Sequence, residues 1–202
     1  ETVQATLDPQ HLSRSITLTD AMIERFRDAE RGGFFFSPAG RDDLIVRRKE
    51  VYDGAAPSGN SVALYNLVRL ARLTGRQPYE DLAAETASAF SRQIASQPSA
   101  FTFFLSAVDL AIGTSRELVI VGEPEAKDTK SLLAVAREGY RPGLVVLLRP
   151  PGEGGREIVS LAPFTESFGL LDGRAAAYLC SGFACERPVS DPAALRALLD
   201  DA

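Results

Sequence analysis

The sequence predicts an α+β fold that is mostly helical, with a helical region over residues 1–113 and a small α/β lobe over residues 114–202. Three observations predict this division. Apolar residues recur at three- and four-residue steps through most of the first region. The second region has continuous apolar runs with the strand–helix–strand spacing of a βαβ unit. The hydrophobic content of 45% and the charged content of 24% are typical of a globular chain with a sizeable core.

The first region is predicted to contain four helices joined as hairpins by short turns. The second of these helices is apolar over more than half of its circumference, which is typical of an interior helix. Residues 1–16 lack a clean period and are expected to be irregular or short-helical. Two β-rich runs flank a loop with Pro, Gly and Asp, and predict an inserted β-hairpin over residues 33–47. The predicted helices cover residues 17–29, a segment from 60 or 61 to 74, a segment from 77 with its apolar stripe ending at 94, and residues 99–112.

The α/β lobe is predicted to contain three strands, over residues 117–121, 144–148 and 175–180, with a helix over residues 125–138 between the first two. Ile158 and Val159 are interpreted as a short edge segment. Asp191 followed by Pro192 is typical of an N-cap and a first helical position, and predicts a terminal helix through Leu199.

Composition excludes several classes of function. A net charge of −5 and a pI of about 5.0 argue against a nucleic-acid or anionic-membrane partner. No apolar run approaches the roughly 18 residues of a spanning helix, and the first residues show no signal-peptide pattern. Two cysteines cannot form a disulfide scaffold, so a reducing, cytoplasmic location is expected. Because the chain opens at Glu1, an upstream region is also expected.

Two segments carry a resemblance to a known family, residues 44–75 (LIVRRKEVYDGAAPSGNSVALYNLVRLARLTG) and residues 175–199 (AAAYLCSGFACERPVSDPAALRALL). They resemble the C-terminal part of the thioredoxin-domain-containing YyaL / spermatogenesis-associated protein 20 family. The similarity extends from about Thr17 to Leu199. One departure is Gly182, where the family usually has Asn.

This resemblance implies a protein of several hundred residues, with a thioredoxin-like domain followed by a six-hairpin (α/α) toroid like that of glycosidases and N-acylglucosamine 2-epimerases. The chain would then supply some toroid hairpins and the α/β lobe. Its implied partners are the upstream thioredoxin-like domain and the remaining hairpins, with a sugar as a further ligand. The chain has no Trp, and its single histidine, His11, lies outside the matched region. Neither the redox motif nor the epimerase histidine therefore has a counterpart here.

The loop over residues 49–61 holds the candidate site residues. In a toroid of this kind, such a loop would lie at the rim of the central cavity. Asp53 and Glu50 could act as acid or base if their pKa values were tuned. The candidate substrate-binding residues are Lys49, Tyr52, Ser58 and Asn60, with Tyr52 placed to stack on a sugar face.

A purely structural interpretation of the same loop stays open. Ser58 or Asn60 would cap the following helix. Asp53 ahead of Gly54 would bind backbone amides in an Asx-turn. Arg47, Arg48 and Lys49 would neutralise Glu50 and Asp53. Phe34, Phe35 and Phe36 are interpreted as packing residues and not as a ligand platform.

Cys180 and Cys185 admit two interpretations. They are either small thiols that pack the α/β lobe, or a redox pair joined when the loop at Gly182 folds back. A metal site is not expected, because a tetrahedral zinc site needs four ligands and His11 is the only other soft donor. No nucleotide or other cofactor is expected, because the sequence contains neither G-x-G-x-x-G nor a Walker lysine motif.

The sequence thus favours a structural and interaction region of a larger protein. The alternative is part of a carbohydrate-active site, glycosidase- or epimerase-like, whose catalysis would need residues upstream of Glu1. Isolated toroid hairpins cannot cover their inner helices. We therefore expect the helix over residues 61–73, or its neighbours, to expose an apolar face and to cause self-association.

Overall fold

The computed structural model describes residues 2–40 and 43–201 and has a mixed α+β structure. Contacts divide it into two compact units. The helical unit comprises residues 14–71 and 76–113, and the α/β unit comprises the remaining described residues, including those before residue 14 and residues 72–75. The sequence-based division after residue 113 therefore differs by two short segments, and it stays a prediction of domain organisation.

The helices before residue 113 are α1 (Thr2–Thr6), α2 (Pro9–Phe26), α3 (Gly59–Thr74), α4 (Gln77–Ser96) and α5 (Thr102–Ile112), with a 3₁₀ turn at Pro98–Ala100. Three of the four predicted helices of the first region, α3, α4 and α5, begin within three residues of their predicted starts. The other, α2, begins eight residues early, because Leu12 and Ile16 extend its buried stripe by one turn each. In the described part of the chain, no helix combines the length and the apolar character needed to cross a bilayer.

Helix α3 is the interior helix of its region, as its composition predicts. Leu64 and Leu67 are fully buried, and so is Phe104 of α5, whose ring meets that of Phe90 edge to face at 6.0 Å. The exposed apolar face expected on α3 is therefore absent, because the fold buries these side chains; among the large apolar side chains of α3 only Val62 is more than a third exposed.

The predicted inserted β-hairpin is wrong for the described residues, which form no strand ladder before Arg116. In the described part of the chain before Arg116, the β-type pairing is one isolated bridge between Arg27 and Phe34. The Phe34–Phe36 run finds other partners: Phe35 N donates to Phe26 O at the end of α2, and Phe36 N donates to Arg48 O, both at 2.8 Å. Backbone groups satisfied in this way have no need of a partner strand.

A tight turn between α2 and this run depends on Gly32 and Gly33. Both have positive φ angles, +71° and +72°, which favour glycine. A Cβ on Gly33 would lie 2.7 Å from the Phe90 ring, and one on Gly32 would lie 3.0 Å from the carbonyl oxygen of Glu85. The turn therefore requires glycine for conformation and for space.

The elements of the α/β unit after residue 113 are β1 (Arg116–Val121), α6 (Lys127–Ala136), β2 (Leu144–Arg149), α7 (Arg156–Leu161), β3 (Ala176–Ser181), β4 (Ala184–Cys185) and α8 (Pro192–Asp200). The strands form a four-stranded sheet in the order β2-β1-β3-β4. Strand β1 pairs in parallel with β2 and antiparallel with β3, which confirms the predicted βαβ unit and third strand. Ile158 and Val159 lie in the short helix α7 and not in an edge strand, because this helix buries Ile158.

Helices α6 and α8 cover one face of this sheet. Leu132 of α6 and Leu195 and Leu199 of α8 are buried in one cluster with Leu118 and Ile120 of β1. Strand β1 is buried along almost its whole length, as its continuous apolar run predicts.

The contribution of the N-cap of α8 to stability can be tested by substitution. Asp191 accepts a hydrogen bond from Ala194 N, so Asp191→Ala should lower the free energy of unfolding by about 1 kcal/mol. Asp109→Ala, at an exposed position within α5, should change it by less than about 0.5 kcal/mol. Urea unfolding measures the free energy of unfolding of both variants. An equal effect of the two substitutions would contradict a stabilising N-cap at Asp191.

Candidate functional site

A pocket of about 410 Å³ lies in the helical unit where α3 begins. Its walls come from Met22 and Phe26 of α2, residues 34–36, Glu50, Tyr52 and residues 56–60. Five aromatic rings and one carboxylate therefore surround it. Its size falls within the range of about 300–1,000 Å³ that is usual for small-molecule sites.

Asn60 holds two walls of this pocket together. Its Oδ1 accepts from Phe34 N at 2.7 Å, while its Nδ2 donates to Phe34 O at 2.9 Å and to Glu50 O at 2.7 Å. The side chain is 3% exposed. Because its amide is committed to backbone groups, Asn60 shapes the pocket, and its role as a direct substrate contact stays a prediction.

Ser58 and Asp53 fix the loop that leads into α3. Ser58 is the N-cap: its Oγ accepts from Ser61 N at 3.1 Å, as the structural interpretation predicts. Asp53 Oδ1 accepts from Ser58 N and Oδ2 accepts from Phe104 N, both at 2.9 Å. The pocket walls do not include Asp53. These bonds account for Asp53 as a brace between the loop and the first turn of α5.

Lys49 neutralises a residue that the sequence does not indicate. Its Nζ donates to Asp28 Oδ2 at 2.7 Å and to Gly32 O at 2.9 Å, so the expected pairing with Glu50 or Asp53 is wrong. The hydrogen bond from Lys49 is the main reason that the pKa of Asp28 lies below its ordinary value. Asp28 Oδ1 also accepts from the backbone N–H groups of Glu30 and Arg31. Lys49 thus secures the turn after α2.

Glu50 and Tyr52 are the two candidate residues that line the pocket with exposed side chains. Tyr52 is 56% exposed, and its ring meets Phe101 edge to face at 6.5 Å. Phe36, interpreted from sequence as a packing residue, is 81% exposed and also lines the pocket. The structure therefore brings Glu50, Tyr52, Ser58 and Asn60 together around the pocket and turns Lys49 and Asp53 to other partners.

Cys180 and Cys185 form a disulfide, so the interpretation as free thiols is wrong. The two residues are opposite each other in the β3–β4 hairpin, whose turn is Gly182-Phe183. Both turn residues have positive φ, +55° and +65°, as a two-residue type I′ turn requires. Among the described residues, no group of three or more His, Cys, Asp and Glu side chains is placed to hold a metal ion.

The sequence reasoning missed Asp28 and the exposed aromatic rings of the pocket. Asp28 is 21 residues before Lys49, and no periodicity relates the two. The signal available was the Gly32-Gly33 pair, which predicts a reversal of the chain that returns residues 34–49 towards the end of α2.

The fold and the pocket define a two-unit α+β chain whose helical unit carries an aromatic-walled cavity at the start of an interior helix. No family model matches the chain. It is 34% identical over 197 residues to spermatogenesis-associated protein 20 of Rattus norvegicus, and also to that of Homo sapiens, with 97% of the chain and 25% of each relative covered. It is 26% identical over 194 residues to an uncharacterized protein of Caenorhabditis elegans, with 93% of the chain and 26% of that relative covered.

The chain belongs to the spermatogenesis-associated protein 20 family and corresponds to the C-terminal part of its members, as the two sequence segments indicate. It spans about a quarter of the length of the curated relatives it matches. This confirms the resemblance given by residues 44–75 and 175–199.

The Lys49–Asp28 pair predicts how stability depends on pH. Lys49→Met leaves the buried Asp28 carboxylate without its ammonium partner and should lower the free energy of unfolding by about 2–4 kcal/mol at pH 7. The lowered pKa of Asp28 means that this contribution is present above its unfolded value of 3.8 and is lost as the pH falls through the folded value. The difference from wild type should therefore shrink below about pH 4.

Urea unfolding at pH 7 and pH 3 measures this effect. Arg48→Met is the matched control, because Arg48 is exposed beside Lys49, and it should leave stability nearly unchanged. The double substitution Asp28→Asn, Lys49→Met should recover part of the loss, since it removes the buried charge. A Lys49→Met protein as stable as wild type at pH 7 would contradict the structural role.

Proposed function

We propose that this chain is mainly a structural and interaction region of a larger, thioredoxin-domain-containing protein, and that its helical unit contributes hairpins to an (α/α) toroid. The relatives are about four times as long as the chain, which supports a role within a larger assembly. The polar side chains of the loop support it too, because Lys49, Asp53, Ser58 and Asn60 all bind groups of the chain itself. A cytoplasmic location is part of this proposal.

The observation that carries this proposal is a group of exposed apolar side chains on the surface of the helical unit. Ile45 is 102% exposed, Val46 68% and Phe36 81%. Arg47, next to Val46, donates through Nε and Nη2 to Ser37 O, and Phe36 N donates to Arg48 O, so the 45–47 segment runs beside Phe36. Monomeric proteins seldom expose adjacent large apolar side chains without a partner.

The occupant that we infer for this surface is the remaining hairpins of the same full-length protein, with the thioredoxin-like domain as the other upstream partner. Three-quarters of the length of the relatives lies outside this chain, which is ample to cover the surface. Burying the side chains of Phe36, Ile45 and Val46 would contribute about 1.5–3 kcal/mol each.

Thiol labelling of the full-length protein tests this inference. Ile45→Cys and Tyr140→Cys replace residues that are 102% and 90% exposed in this chain, and should label equally if nothing covers them. If the upstream hairpins cover Ile45, the Ile45→Cys variant of the native full-length protein should label at least about tenfold more slowly than the Tyr140→Cys variant. Equal rates would contradict the proposed docking surface.

A second candidate function, part of a carbohydrate-active site, is favoured by the pocket. Aromatic faces such as those of Tyr52 and Phe36 suit the apolar faces of a sugar ring, and the Glu50 carboxylate suits its hydroxyl groups. Glycoside hydrolysis commonly uses two carboxylates about 5–9.5 Å apart. Since Asp53 is bound to backbone groups away from the pocket, the second carboxylate would come from the upstream part of the protein.

Substitutions in the full-length protein separate a structural role of the loop from sugar binding in the pocket. Asp53→Asn loses one of two acceptors and should lower the free energy of unfolding by about 1–2 kcal/mol, whichever candidate holds. Glu50→Gln should change stability by less than about 0.5 kcal/mol. If the pocket binds sugars, Glu50→Gln and Tyr52→Ala should each weaken binding in a calorimetric sugar screen about tenfold or more. Unchanged sugar binding in both variants would exclude the second candidate.

A further inference from the structure

One row of side chains crosses the sheet of the α/β unit from β1 to its edge. Glu117 of β1 is directly opposite Cys180 of β3, and Cys180 is directly opposite Cys185 of β4. Opposed residues in antiparallel strands point to the same face, with Cβ atoms about 4.5–5.5 Å apart. The disulfide is therefore flanked on its inner side by a carboxylate.

The two ends of the disulfide differ in their access to solvent. Cys180 is 1% exposed, whereas Cys185 lies in the exposed edge strand. Thiol–disulfide exchange requires a thiolate to reach one sulfur along the S–S axis while the other sulfur leaves. Access from solvent therefore favours attack at Cys185, with Cys180 as the leaving sulfur.

The hairpin that carries the disulfide is held independently of the S–S bond. Phe183 N donates to Glu117 Oε2 at 3.2 Å, and the Phe183 ring packs on that of Phe164 with centroids 5.0 Å apart. Glu186 N donates to Leu179 O at 2.8 Å on the far side of the cysteine pair. These contacts should keep the two cysteines opposed after the bond is broken, so that it can form again.

Glu117 is unusual at its position. It is 1% exposed in a strand whose other interior residues are apolar, and its Oε1 lies 3.8 Å from Arg72 Nη1. Buried ion pairs are weak contributors to stability, because both charges lose their hydration. Core packing alone would favour an aliphatic residue at this position. Because Glu117 accepts a hydrogen bond from the turn of the β3–β4 hairpin, we assign it the role of holding that hairpin in register.

We propose that Cys180–Cys185 is a thiol–disulfide exchange site whose substrate is a dithiol that attacks Cys185. The attacking thiolate forms a bond to Cys185 Sγ, and the S–S bond breaks, so that Cys180 leaves as a thiolate and takes up a proton. The second thiol of the reagent then attacks the mixed disulfide and releases Cys185 as a thiol. Two electrons and two protons pass to the protein, and the dithiol becomes a disulfide.

Reduction of the native full-length protein tests the site. With dithiothreitol, the rate should be first order in the dithiol and nearly independent of urea below the unfolding transition. With glutathione followed by acid quenching and peptide mapping, adduct on Cys185 should exceed adduct on Cys180 by at least about tenfold. Reduction that occurs only with unfolding, or adduct mainly on Cys180, would overturn the proposal.

Single-cysteine variants provide the matched pair. In Cys180→Ser, the remaining Cys185 thiol should react with glutathione disulfide at least about tenfold faster than the Cys180 thiol does in Cys185→Ser. Circular dichroism checks that both variants fold. If either does not, the adduct ratio in wild type decides the question, since it needs no substitution. Similar rates in two folded variants would overturn the asymmetry on which the site depends.

Discussion

The geometry of the helical unit depends on the hydrogen bonds made by the buried side-chain amide of Asn60. It joins three segments that are distant in the sequence: the Phe34–Phe36 run, the backbone at Glu50 and the first turn of α3. Its two bonds to Phe34 satisfy backbone groups that would otherwise be buried without a partner. The pocket exists because these segments meet, so a polar side chain of the core determines where the aromatic rings stand.

Much of the fold could be predicted, because helices and buried strands leave local signals. Helix α3 shows its interior position in the spacing of Leu64, Leu67 and Leu70, and β1 shows its burial in an uninterrupted apolar run. Asp191 marks the start of α8 because its side chain caps the N–H of Ala194, three residues later. Each of these features depends on neighbours in the sequence, which periodicity and capping rules describe well.

The remaining features depend on distant partners. The run of phenylalanines has the composition of a strand, but its backbone bonds to Asn60, 26 residues away, and to Phe26 and Arg48. Lys49 lies beside Glu50 in sequence and binds Asp28 instead. Within the candidate loop, chemistry identified polar residues, but only the three-dimensional arrangement separates Asp53, a brace, from Glu50 and Tyr52, which line the pocket. No local rule makes that distinction.

The type I′ turn at Gly182-Phe183 limits which residues can occupy position 182. Asparagine and glycine are the two residues that adopt left-handed backbone angles most readily, so either can occupy position 182 at φ +55°. Either residue would leave the two cysteines opposite each other across the hairpin. A β-branched residue at the same backbone angle would strain the turn, and so would disturb the register on which the disulfide depends.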